Sequence, residues 1–183
     1  MPLLNQREFK ADPWTFLDTS EPVPSGGDIV VPFERLVSDF KTLMLHDGQL
    51  GVAFPNNLPV TELEPYLQRL QLVTLDFPAF TDGRAYSQAR ELRTHFGFKG
   101  ELRAAGNLLP DQLGFMQQVG FDYFEIADER FSLDAWLDAA TSISLSYQPS
   151  FTSRSQMPIS TARGLADTSA PDAEDWPEQP HYG

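Results

Sequence analysis

DFPAFTDGRAYSQARELRTHFGFKGELRAAGNLLPDQLGFMQQVGFDYFE, residues 76–125, decides the fold, because the chain passes twice through the same cycle of strand end, polar turn and helix. In FTDGRAYSQARELRTHFG (80–97) the apolar positions Ala85, Ala89, Leu92 and Phe96 fall on one helical face. Thr81 or Asp82 can cap its start, and Gly97 suits its end. GELRAA (100–105) then reads as a strand and Gly106-Asn107 as a turn. PDQLGFMQQVG (110–120) reads as a helix with Pro110 at its first position and Gly120 past its last.

Upstream, DIVVP (28–32) has the β-branched run of a buried strand. FERLVSDFKTLML (33–45) repeats Leu36, Phe40, Leu43 and Met44 at helical spacing. LGVAFPN (50–56) gives a second strand. TELEPYLQRL (61–70) reads as a short helix that Thr61 and Glu64 can cap, with Pro65 tolerated only near its first turn. QLVTLDFP (71–78) is a third strand, FDYFEI (121–126) a fifth, and SLDAWLDAATSISL (132–145) a closing helix with Leu133, Trp136, Leu137 and Ala140 on its core face. Five βα units predict an α/β protein: a single domain with an open, parallel, Rossmann-like or flavodoxin-like sheet and helices on both faces. Residues 28–145 are too few for a closed eight-unit barrel, which takes about 250 residues. The nearest competitor is a half-barrel completed by a second copy.

The domain is expected to span 28–145. Residues 1–27 read as an extended arm and linker that dock through aromatics such as Trp14, and 146–183 as a disordered tail rich in Ser, Thr, Pro and acid. No apolar run approaches the ~20 residues of a membrane helix, and the first residues lack an export signal, so the chain is expected in the cytoplasm. With no cysteine there are no disulfides, thiolate nucleophiles or Cys-ligated clusters. A net charge of −13 opposes nucleic-acid binding. Yet residues 84–103 hold Arg84, Arg90, Arg93, Lys99 and Arg103 against Glu91 and Glu101 alone, and an acidic stretch follows them.

In open parallel sheets ligands sit beyond the carboxyl ends of the strands, where Asp76, Asn107 and Glu125 fall. The TDGR turn, with Asp82 and Gly83, can aim backbone N–H groups at an anion, and Arg84 adds a charged fork. Arg90 shares a helix face with Tyr86 and can instead pair with an acidic neighbour. Arg103 lies within a buried strand and needs a carboxylate partner, for which Asp76 and Glu125 are the natural candidates. The histidines show no metal-ligand spacing, and PFERL after the first strand is no dinucleotide or phosphate-binding fingerprint. Any electrons must therefore come from a partner or a bound flavin.

Two signatures, FTDGRAYSQAR (80–90) and GELRAAGNLLPDQ (100–112), resemble those of the bacterial family known as domain of unknown function 934, over roughly residues 28–140. Asp82, Gly83, Arg84, Ser87, Arg90, Arg103, Gly106, Asp111 and Gln112 stand where the signatures expect them. Asn107 stands where Asp is equally expected, which counts against a general base there. The resemblance implies a role in assimilatory sulfite reduction, with sulfite reductase as partner, and oxidoreductase character that the residues themselves do not carry. The expected function is an accessory protein that binds an oxyanion or phosphorylated ligand through Arg84, Arg90 and Arg103. Its rivals are a non-catalytic module that docks the reductase or a second copy of itself, and a flavin-using oxidoreductase.

Overall fold

The computed structural model describes residues 2–5, 8–126 and 131–142. Three two-residue strands come first: β1 (Leu3–Leu4), β2 (Phe9–Lys10) and β3 (Thr15–Phe16). The repeating part follows as β4 (Ile29–Pro32), α1 (Phe33–Leu43), β5 (Leu50–Phe54), β6 (Leu70–Phe77), α2 (Arg84–Thr94), β7 (Glu101–Gly106), α3 (Leu113–Val119), β8 (Tyr123–Glu125) and α4 (Leu133–Ser142). The five expected parallel strands are β4 to β8. The tail expected to be disordered, 146–183, and the end of the closing helix lie outside the described residues.

The eight strands form one open sheet in the order β2-β1-β8-β7-β6-β5-β4-β3. From β3 to β8 each strand is parallel to its successor in the chain, so the order never reverses. That corrects the expectation of helices on both faces. A Rossmann or flavodoxin sheet covers both faces because its strand order reverses, whereas right-handed crossovers taken always in one direction put every helix on the same side.

Side-chain alternation along the strands shows the two faces. Val31, Val52, Val73 and Leu102 pack with Leu36, Ala89, Leu92 and Met116 of the helices in the main core. The opposite face carries Val30 and Leu72, and Trp14 of the N-terminal segment covers them in a second, smaller core. The arm is therefore part of the sheet. It enters at one edge, where β1 lies antiparallel to β8 with Leu3 and Leu4 buried, and ends at the other, where β3 joins β4. Residues 11–14 cross the helix-free face between those edges.

One expected helix does not form. Residues 61–70 make only a 3₁₀ turn, Val60–Leu63, without a side-chain cap, followed by turns. Pro65 has no N–H to return to the carbonyl of Thr61, and its ring clashes there, so an α-helix could not continue past the first turn.

Candidate functional site

Register brings one row of side chains to the helix-free face at the carboxyl ends of the strands. Pro32 is paired with Ala53, Ala53 with Thr74, and Asp76 with Ala105. With Glu125 they line a cavity of ≈ 370 Å³, walled by Phe16 of β3 and by Phe33 and Phe54 at the strand ends; Glu34, at the start of α1, adds a third carboxyl. An apolar concavity with a few convergent polar groups at this end of a parallel sheet is where ligands of α/β proteins bind.

Asp76 and Glu125 thus line one cavity. Burial pushes the Asp76 carboxyl above its ordinary range; the Phe77 backbone N–H opposes this, and the nearby Asp82 charge adds to it. Gly106 sets the approach of β7 to this carboxyl. Its φ is +99°, and a Cβ there would lie 2.5 Å from the Phe77 carbonyl oxygen and 2.7 Å from Asp76 Oδ1. Asn107 follows, donating its backbone N–H to the Phe77 carbonyl at 2.8 Å, but its side chain is not among the cavity walls.

The arginines stand elsewhere. Arg84 folds back on its own turn: its Nε donates to Asp82 Oδ1 at 3.0 Å and its Nη2 to Asp82 Oδ2 at 2.6 Å. Asp82 also accepts from Asn56 Nδ2 at 2.9 Å and from the Arg84 backbone N–H at 3.2 Å, so the Arg84 fork is taken up by its own turn. The Arg84 guanidinium holds the Asp82 carboxyl far below the usual carboxylate range. Ser87 and Arg90 lie exposed on α2, away from the cavity, and Gly83 precedes that helix.

Arg103 corrects a specific expectation. Its partner is neither Asp76 nor Glu125 but Asp12 of the arm, which accepts from Nη1 at 2.6 Å and from Nη2 at 2.8 Å. Along β7 the register sets Arg103 beside Thr74 and Tyr123; Asp76 is two residues further toward the carboxyl end. The arm crosses at the level of Arg103, so Asp12 reaches the guanidinium first. The ion pair is wholly buried on the arginine side, and the ring of Phe16 covers it at 5.4 Å.

Among the cavity walls, Glu34 and Thr74 carried no expectation of a site, and Phe16 was expected only as one of the aromatics by which the arm docks. Thr74 was legible in principle, because residues two apart on a strand share a face and Asp76 marked that face. Phe16 was not, since its position depends on where the arm ends. Sequence reasoning also missed Arg93, which donates to the Gly120, Phe98 and Gly100 carbonyls and to Asp122 Oδ2, joining the ends of α2 and α3 to β7. With Arg84, Arg93 and Arg103 each held by an internal carboxylate, the basic stretch 84–103 does not act as one positive surface. No group of three or more His, Asp or Glu suited to a metal ion occurs among the described residues, nor is any helix there long and apolar enough to cross a membrane.

No curated protein matches the chain. A family model described as "Bacterial protein of unknown function (DUF934)" matches residues 51–158, beginning at β5 and so leaving the arm, β4 and α1 outside the match. The matched stretch is more than half of the 183 residues and holds both signatures together with Asp76, Arg103 and Glu125, and the chain belongs to that family.

Proposed function

We propose that this protein is a cytoplasmic accessory component of assimilatory sulfite reduction that acts by holding a small molecule in the strand-end cavity. The observation that carries the binding role is the cavity: apolar walls, convergent carboxyl groups, and a position beyond the carboxyl ends of β4 to β8. The paired signatures at 80–90 and 100–112, through the resemblance they carry, support the link to sulfite reduction. Arg84 and Arg103, the residues first expected to grip an oxyanion, are occupied by Asp82 and Asp12, so binding rests on the cavity walls.

The test is growth on sulfite as sole sulfur source in a host lacking the protein. Wild type should restore growth, and Ala105→Phe, which places a ring in the cavity from β7, should not, although the variant accumulates folded; added cysteine should rescue both strains. A deletion strain that grows normally on sulfite removes the pathway from the reading. Full complementation by Ala105→Phe removes the cavity from it.

A second reading is a docking module for the reductase. On the opposite, helical side Phe115 is 52% exposed with its ring 5.0 Å from that of Tyr86. An exposed aromatic ring packed on a half-buried one is a common interface anchor. Phe115→Ser should then abolish co-purification with sulfite reductase and leave the cavity intact.

A further inference from the structure

We propose that the strand-end cavity takes a ligand with a protonated amine on a compact apolar body, the ammonium received by the carboxyl groups of Asp76 and Glu125. The inference rests on the small-molecule role proposed above and adds the chemistry of the ligand.

The cavity has three carboxyl-bearing residues, Glu34, Asp76 and Glu125, and no basic residue among its walls. None of the three is in an ion pair among the described residues. The nearest guanidinium on this face, that of Arg103, is screened behind Phe16 and doubly bonded to Asp12. An anionic ligand would meet carboxyl groups with no cation to offset them, and a neutral one would leave those groups without a charge partner.

A second observation is independent of charge. Thr74, 5% exposed, lies on the cavity floor two residues before Asp76 on the same face of β6, and its Oγ1 has no hydrogen-bond partner. An unsatisfied buried hydroxyl costs free energy unless something supplies its bond. An ammonium has three donors and no acceptor, which matches two carboxyl groups and one hydroxyl oxygen. Phe16, Phe33 and Phe54 complete the match. They offer apolar contact to the body of the ligand, and aromatic faces attract a cation.

The experiment is isothermal titration of the full chain with three probes that differ only in the terminal group: phenethylammonium, 2-phenylethanol and 3-phenylpropanoate. Phenethylammonium should bind about tenfold or more tighter than the alcohol, the scale of a charge-assisted hydrogen bond, and the carboxylate should not bind. Asp76→Asn with Glu125→Gln, near-isosteric changes in the cavity walls, should remove that preference, with the amine binding no tighter than the alcohol. Thr74→Ser, which keeps the hydroxyl, should retain it. Equal binding of the three probes, tighter binding of the carboxylate, no binding by the amine, or an amine preference that survives the double variant would each overturn the inference. If the amine fails while Ala105→Phe still blocks growth on sulfite, the ligand class falls and the binding role stands; amine binding with full complementation by Ala105→Phe gives the reverse.

Discussion

Arg103 brings a charge into a floor where none of its side chain reaches water, so what it contributes depends on Asp12. Removing the carboxylate leaves a buried guanidinium without a counter-charge; removing the guanidinium leaves a carboxylate that is 23% exposed and can be hydrated. Asp12→Ala should therefore cost about 3–5 kcal/mol in urea unfolding, and Arg103→Met much less. The double variant should recover most of the loss, and equal costs for the two single changes would refute the asymmetry. The sequence made Arg103 legible as a buried cation in need of a partner, because it interrupts the apolar run of β7. It did not identify that partner, since Asp12 is 91 positions away and its approach depends on the path of the arm. Asp82 shows the opposite case, a partner two residues away. Its folded-state pKa lies below the ordinary 3.8, so its ionised form favours the fold above that value and the contribution is lost as pH falls below it. The stability difference between wild type and Asp82→Asn should accordingly be present at neutral pH and shrink in acid. Carbon NMR of the Asp76 carboxyl should also show a lower pKa in that variant, because the Asp82 charge is one cause of its rise.

At the scale of the element, short-range rules succeeded where one residue decides the backbone. Gly97 and Gly120 close α2 and α3 with φ of +62° and +115°, and Pro110 opens the 3₁₀ turn that leads into α3, each at its expected place. They failed where two rules competed in 61–70, where a good capping pattern is overruled by Pro65. Gly106 joins element to site, for it ends β7 in the left-handed region against the end of β6. Gly106→Ala should destabilise the fold by about 1–3 kcal/mol, the usual scale of a strained backbone position. It should also weaken ligand binding in the cavity, since the added methyl displaces Asp76 Oδ1. Loss of stability with unchanged binding would show that the Asp76 carboxyl tolerates the shift.

For the whole molecule, the sequence made the number and direction of the main strands legible, but not which face each helix would cover. Hydrophobic periodicity reports that a strand is buried on both sides without saying what buries it. Here helices bury one side and residues 11–17 share in burying the other, through Trp14 on Val30 and Leu72 and Asp12 on Arg103. The arm is thus a strap pinned at both sheet edges, by Leu3 and Leu4 beside β8 and by Phe16 beside β4. If it is structural in this sense, deleting residues 1–17 uncovers the second core, exposes an edge of β8 and strands the Arg103 charge at once. The truncated chain should lose its cooperative thermal transition and bind a hydrophobic dye, as a sheet with one uncovered apolar face does. Trp14→Ala, which keeps both pins, should retain a cooperative transition at a cost of about 3–5 kcal/mol. A truncated chain that melts like wild type would mean that the helical face alone sustains the sheet, and the strap would then serve only to wall the cavity with Phe16.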